Sequence, residues 1–272
     1  MNLEDVQARP DSRGIDLDEV GISGVRHPIV VCDRTHGKQE TIAQVAISVS
    51  LPAEVKGAHL SRFIEVLGRH AGEITSSTLP TILAELCDRL TAEYARIEVA
   101  FPYFIERAAP VTGARALMDY HCRFTGEANR PQTSVTLAVA VPVTSVCPCS
   151  KAISDYGAHN QRSHITISVR TRVGEDGEPE GIWIEELVDI AERSASAPVF
   201  PLLKRPDERY VTMLAHDNPV FVEDMARNVA SVLRRDARLE WFRVEASSDE
   251  SIHNHSAFAR VEQHLAADED EG

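Results

Sequence analysis

The sequence predicts an α+β fold in which antiparallel strands carry helices on one face. Three observations predict it. Segments with apolar residues at every second position, typical of strands, alternate with segments whose apolar residues recur every three or four positions, typical of helices. Both patterns occur in pairs, which favours antiparallel strands with segregated helices. The order strand, strand, helix, helix, strand, strand occurs twice, so we expect two modules whose exposed sheet edges can pair to close barrels.

The first half contains the less regular of the two patterns. Residues 1–30 are polar and interrupted by glycines and a proline, and we expect an extended arm. Val45, Ile47 and Val49 alternate with polar residues as in a half-buried strand. Pro80 suits the first turn of a helix. The predicted elements of this half are a strand over 41–51, helices over 58–70 and 80–95, and strands over 96–105 and 115–125.

The second half repeats the order more clearly. Asp217, Asn218 and Pro219 indicate a helix start, and the helix is expected to run to Arg235. The other predicted elements are strands over 134–143 and 164–173, a polar turn over 174–181, a helix over 182–193, and strands over 239–246 and 257–263. The predicted domains are an arm (1–30), a first module (31–130), a second module carrying the chemistry (131–265) and a disordered acidic tail (266–272).

Composition excludes several classes of function. The 272 residues include 28 Lys and Arg against 42 Asp and Glu, a formal net charge of −14. This balance argues against nucleic-acid or membrane-surface binding, although a small phosphorylated substrate needs only a local positive pocket. No segment approaches the ~20 apolar residues of a membrane span. The start of the chain has no signal-peptide pattern, and five cysteines, an odd number, favour a reducing cytoplasm.

Cys147 and Cys149, followed by His159, form the most unusual motif. Thiolate and imidazole groups are ligands of soft and borderline metals. The alternative is that both cysteines are buried small residues and His159 is a turn residue. A disulfide between Cys147 and Cys149 is disfavoured because the one-residue gap strains the bond.

A second group consists of Glu250, His253 and His255. The two histidines are two residues apart, so on a strand they would point to the same side. A carboxylate beside two imidazoles is a recurrent acid–base arrangement. Exposed surface or metal contact is the alternative for such a histidine pair.

The remaining candidates are ambiguous when each is taken alone. The segment 202–210 could be a solvated loop, or could combine an anion site at Lys204 and Arg205 with a carboxylate ligand at Glu208. Glu223 lies off the apolar stripe of its helix, which predicts solvent exposure. Lys38 and Arg62 are two further basic residues of the first half, and alone they indicate ordinary surface.

Taken together, these motifs resemble GTP cyclohydrolase I of type B. The resemblance covers almost the whole chain outside the first ~30 residues and the tail, with motifs at 35–39, 59–63, 147–151, 157–162, 203–208 and 250–255. It implies the tunnelling fold, with two fused modules and barrels built by a homotetramer whose active sites lie at interfaces. It also implies that GTP and water give formate and 7,8-dihydroneopterin triphosphate, the first step of tetrahydrofolate biosynthesis.

The resemblance also implies a divalent metal, for which Zn²⁺, Mn²⁺ and Fe²⁺ are all compatible with the donor set. The implied ligands are Cys147, His159 and Glu208. Cys149 matches a second site cysteine, and the sequence leaves open which of the two sulfurs binds the metal.

The same resemblance implies roles around the substrate. Glu223 would hold the guanine edge, whose N1–H and N2–H₂ groups are adjacent donors. The acid–base residues would be Glu250, His253 and His255. The triphosphate would contact some of the basic residues Lys38, Arg62, Lys204 and Arg205.

Three other functions remain open from the sequence. The nitrile reductase of the queuosine pathway shares the fold but uses a cysteine nucleophile and NADPH without a catalytic metal. The archaeal type of GTP cyclohydrolase stops at a cyclic phosphate product. A non-catalytic purine- or metal-binding protein would not need the set of Glu250, His253 and His255.

Overall fold

The structure, a computed structural model, describes Gln7 and residues 10–70, 74–174, 177 and 179–266. Residues 267–272 of the predicted acidic tail and part of the predicted 174–181 turn lie outside the described residues. The elements, in chain order, are β1 (Leu17–Asp33), β2 (Gly37–Leu51), α1 (Leu60–Arg69), α2 (Leu79–Leu90), β3 (Tyr94–Ala108), β4 (Arg115–Asn129), β5 (Gln132–Val146), α3 (Pro148–Ile153), β6 (Asn160–Thr171), α4 (Ile184–Arg193), β7 (Ala197–Pro198), α5 (Arg205–Asp217), α6 (Val222–Leu233), β8 (Leu239–Asp249) and β9 (Ser256–His264).

The α+β prediction is confirmed. Neighbouring strands of the sheet follow the order β1-β2-β3-β4-β5-β6-β8-β9, and β7 pairs with the end of β5. The pairs β1–β2, β2–β3, β5–β7, β6–β8 and β8–β9 are antiparallel. None of the helices in the described part of the chain is long and apolar enough to cross a membrane.

The chain divides into two compact units, and three strands contribute residues to both. One unit comprises Met1–Phe101 and Arg123–Leu137. Its helices α1 and α2 contact each other, and α2 also contacts β2. Phe63 of α1 and Leu83 of α2 are fully buried, as the apolar stripes of these helices predict.

The first strand of this unit begins earlier in the chain than the sequence predicts. Residues 1–30 were expected to form an arm, whereas β1 begins at Leu17 and pairs with β2. The pairing register shifts between Leu17 and Val20 and again between Ile22 and Val25, so the period-two alternation is interrupted. A Cβ on Gly21 would lie 1.9 Å from the carbonyl oxygen of Ile47, which explains the glycine there.

The other unit comprises Pro102–Cys122 and Ala138–Gly272. Its helix α6 contacts α4 and the strands β8 and β9. Leu187 of α4 and Val229 of α6 are fully buried, so these helices cover the sheet with the apolar faces that the sequence predicted. On the buried face of α4, Glu192 forms an ion pair with Arg107 and accepts a hydrogen bond from the Tyr120 hydroxyl at 3.2 Å.

Two helices of this unit were not predicted. α3 has only six residues. In α5, buried positions are limited to Asp207 and Ala215. The same helix exposes Tyr210, Met213 and Leu214, so its sequence has no apolar stripe of the usual width.

Candidate active site and metal centre

The site begins where β5 ends. The backbone N–H of Cys147 donates to the carbonyl oxygen of His159 at 3.1 Å, which closes the loop that contains α3. The Cys147 Sγ accepts the N–H of Ser150 at 3.4 Å, and the Ser150 Oγ accepts the N–H of His159 at 3.2 Å. Cys147 is half-buried and Cys149 is exposed. The loop therefore brings Cys147 and His159 side by side and leaves Cys149 on the surface.

The ring of His159 is held on one side. Its Nδ1 lies 2.9 Å from Gln161 Oε1 and 3.5 Å from Ser251 Oγ. The Nε2 of Gln161 donates to Glu250 Oε1 at 3.4 Å. Glu250 and His159 are thus linked through one amide, although they are far apart in the sequence.

A row of buried hydroxyl groups lies next to this cluster. The Ser163 Oγ is 3.0 Å from the Ser145 Oγ and 2.7 Å from the Ser248 Oγ. Ser163 pairs directly with Ser248 in the antiparallel register of β6 and β8. Because side chains two residues apart share a face of a strand, Gln161 lies on the same face as Ser163. The serine contacts hold together the strand ends that present the site.

His253 and His255 lie in the connection between β8 and β9, outside both strands that the sequence predicts there (239–246 and 257–263). The segment from Glu250 to His255 is polar apart from Ile252. It lacks the alternation of apolar and polar residues that is typical of a half-buried strand. Both histidines are exposed, and their rings stack with centroids 5.0 Å apart and planes at 14°. The two rings therefore lie together although no strand aligns them.

Helix α5 contacts the segments that precede both candidate ligands. Ala215 and Val211 pack in one cluster with Val146 and Ala158, the residues before Cys147 and His159. Glu208 is exposed and lies three and seven residues before Val211 and Ala215, which places it on the same face of the helix. Among the described residues, no three His, Cys, Asp or Glu side chains are grouped closely enough to hold a metal ion.

Asp207 fixes the start of α5. Its fully buried carboxylate accepts hydrogen bonds from the N–H of Val111 at 2.8 Å, from Thr112 N–H at 2.9 Å and from Thr112 Oγ1 at 2.7 Å. It also accepts the N–H of Lys204 at 3.0 Å, which caps the helix. Burial alone would raise the pKa of Asp207, but these hydrogen bonds outweigh it and hold that pKa well below its usual range.

The implied substrate residues occupy several elements. Glu223 is exposed in the first turn of α6, as its position off the apolar stripe predicts. The segment before it is tied to the site strand, because Val220 N–H donates to the carbonyl oxygen of Val146 at 3.2 Å. Lys204 and Arg205 are exposed at the start of α5.

Lys38 and Arg62 belong to the other compact unit. Lys38 is exposed near the start of β2. Arg62 is half-buried in α1, and its Nη1 donates to the carbonyl oxygen of Arg89 at 2.9 Å, so it ties α1 to the end of α2.

Gln161 and Asp207 also belong to the site, although the sequence motifs assign no role to either residue. Gln161 stands two residues after His159 at the start of a strand, and that spacing was an available signal that both side chains share a face. Asp207 stands three residues after Lys204, the spacing of a helix-capping carboxylate. Its contacts with Val111 and Thr112 could not be read from the sequence, because they join residues 95 and 96 positions apart.

Sequence comparisons with known proteins point to one family over nearly the whole chain. The sequence model of a family described as type I GTP cyclohydrolase folE2 matches residues 3–259. A protein named GTP cyclohydrolase FolE2 from Methylococcus capsulatus is 52% identical over 262 residues, covering 96% of this chain and 95% of the relative. One of the same name from Magnetococcus marinus is also 52% identical over 262 residues, covering 96% of each chain.

The structural comparison concerns the fold alone. A crystal structure of a mutant of Bacillus sp. TB-90 urate oxidase has a TM-score of 0.55 to this chain at 12% sequence identity, covering 92% of this chain and all of the other. The likeness agrees with the tunnelling fold that the sequence resemblance implied.

Proposed function

The chain belongs to the type I GTP cyclohydrolase FolE2 family, and we propose that the cluster around Cys147, His159 and Glu250 is its active site. The activity is that of a GTP cyclohydrolase, in which GTP and water give formate and 7,8-dihydroneopterin triphosphate for folate synthesis. The observation that carries the site assignment is the chain of contacts from Cys147 through His159 and Gln161 to Glu250.

The metal would be held by Cys147, His159 and Glu208. Gln161 contacts Nδ1 of His159, so Nε2 of the ring is the nitrogen that would bind the metal. The Cys147 sulfur lies nearby, because the backbone N–H of Cys147 donates to the carbonyl oxygen of His159. Glu208 lies on the face of α5 that packs against Val146 and Ala158, the residues before Cys147 and His159. Reorientation of its exposed side chain would bring the third ligand to the other two. Zn²⁺, Mn²⁺ and Fe²⁺ suit these donors. Such an ion, when bound, lowers the pKa of coordinated water and supplies a nucleophile near neutral pH.

Proton transfer falls to Glu250, His253 and His255. An imidazole can both donate and accept a proton, and the exposed, stacked pair is accessible to a substrate. Glu250 is oriented by Gln161 at the base of the same loop. These groups suit the successive proton transfers of ring opening and reclosure. Cys149 is the accessible second thiol of the site.

Binding of GTP would use groups on several elements. The Glu223 carboxylate can accept from the two adjacent donors of the guanine edge. Arg and Lys supply charge-assisted contacts to phosphate, and we assign this role to the exposed residues Lys204 and Arg205 of the same unit.

A homotetramer with interfacial sites is the proposed assembly. Its support is the group of exposed apolar side chains near the site loops and on α5, namely Tyr156, Tyr210, Met213, Leu214 and Ile252. The proposed compartment is the cytoplasm, because the odd cysteine count does not suit a disulfide framework.

The test is an assay of GTP turnover by the metal-loaded chain. Formate release and a fluorescent pterin after oxidation are expected, and a chelator should abolish both. Glu250→Gln should remove activity, while Glu245→Gln, which alters an exposed carboxylate on β8, should keep it. Absence of pterin with every divalent metal, or full activity of Glu250→Gln, would contradict the proposal.

A further inference from the structure

We propose that Gln161 is a positioning residue that sets the tautomer of His159 and aligns it with Glu250. The inference rests on the proposed function, since it concerns how that site is organised. Gln161 is half-buried at the beginning of β6, and its amide contacts His159 Nδ1 at 2.9 Å and Glu250 Oε1 at 3.4 Å. A single side chain therefore connects the imidazole ligand with the acid–base carboxylate.

The chemistry of these groups leaves one consistent orientation. An ionised carboxylate only accepts hydrogen bonds, so the side of the amide that faces Glu250 must be the NH₂ group. The amide oxygen then faces His159, and Nδ1 must carry the proton that it donates. Nε2 consequently keeps its lone pair for a metal. The negative charge of Glu250 thus selects the His159 tautomer through the amide of Gln161.

The backbone restricts movement of this amide. Ser163, two residues further along the strand, is fully buried between Ser145 and Ser248. The same serine pairs with Ser248 in the strand register, which places Gln161 opposite Glu250. Gln161 is therefore held by an anchored strand, which suits a group that must orient others.

Two substitutions distinguish the contact of Gln161 with His159 from its contact with Glu250. Gln161→Met keeps the approximate length but removes both hydrogen bonds, so His159 loses its orientation and Glu250 loses its donor. Gln161→Glu keeps an acceptor for the Nδ1 proton but turns a carboxylate towards Glu250. We expect Gln161→Met to weaken metal binding by about 10–100-fold, the usual effect of losing the partner of a metal-binding histidine.

Gln161→Glu should restore metal affinity to near the wild-type value, because a carboxylate is a strong partner for a ligating histidine. Its kcat should nevertheless be about 10–100-fold below the wild-type value, because the like charge displaces Glu250. A side chain with a purely structural role would show no such separation of metal affinity from kcat.

The experiment is a competition titration of Zn²⁺ between a chromophoric chelator and the purified full-length chain, and kcat for GTP is measured on the same samples. It compares wild type, Gln161→Met, Gln161→Glu and Cys147→Ala, with Gln263→Met, a change at an exposed position of β9, as the matched control. Circular dichroism checks that each variant is folded. Weaker binding by Gln161→Met and recovery in Gln161→Glu would support the inference.

Wild-type affinity in Gln161→Met, together with lost binding in Cys147→Ala, would overturn the role of Gln161 while leaving the metal site intact. Absence of zinc binding by the wild-type chain would overturn the proposed metal site and the inference together. Equal loss of affinity in Gln161→Met and Gln161→Glu would contradict the assignment of the tautomer to this amide.

Discussion

Replacing Ser163 by Ala should destabilise the sheet next to the active site. The Ser163 Oγ contacts Ser145 and Ser248, at 3.0 and 2.7 Å, and all three residues are at most 2% exposed. The substitution removes two hydrogen bonds. It leaves the buried hydroxyl groups of Ser145 and Ser248 without that partner. Since each unsatisfied buried group costs about 1–3 kcal/mol, the free energy of unfolding should fall by about 2–6 kcal/mol.

Thermal unfolding at a fixed protein concentration measures this loss. For a chain of this size, 1 kcal/mol corresponds to about 2–4 °C, so Tm should fall by about 4–24 °C. Ser168→Ala, at a half-buried position of the same strand, serves as the control and should change Tm little. Replacing Ser145, Ser163 and Ser248 together should recover part of the loss, because no polar group is then left without a partner. An unchanged Tm for Ser163→Ala, or a triple variant less stable than it, would refute the reasoning.

Three further predictions concern other parts of the same unit. Asp207→Asn should lower the denaturation midpoint at neutral pH. Because the native pKa of Asp207 is depressed, its contribution is present above the unfolded pKa and is lost on acidification, so the deficit should shrink below about pH 4. Arg107→Met leaves the buried Glu192 without its cation and should cost about 3–5 kcal/mol in urea unfolding, part of which Glu192→Gln restores. His253→Asn and His255→Asn should each lower kcat by about 10²–10⁴-fold while Tm stays constant, because both side chains are exposed.

The sequence predicted the helices that bury an apolar stripe. Phe63, Leu83, Leu187 and Val229 each belong to such a stripe and are fully buried. The elements it did not predict lack that signal for identifiable reasons. β1 changes register twice, and α5 is stabilised by the contacts of Asp207 with distant backbone groups rather than by an apolar face. Contacts of this kind depend on the tertiary structure and leave no local pattern.

The site was predictable as a set of motifs but not as a geometry. The motifs of Cys147, His159 and Glu250 stood out through their residue types. Their connection depends on Gln161, whose role follows only when β6 and β8 are paired in register. The position of Glu208 on a helix was likewise beyond the sequence, because the 202–210 segment could equally have been a solvated loop.

X-ray absorption spectroscopy of the zinc-loaded chain tests the metal assignment most directly. We predict one sulfur scatterer at about 2.3 Å and nitrogen or oxygen scatterers at about 2.0–2.2 Å. Cys147→Ala should lose the sulfur contribution, and Cys149→Ala should keep it, since Cys147 lies beside His159 and Cys149 is exposed. A sulfur contribution that persists in Cys147→Ala, or disappears in Cys149→Ala, would contradict the account.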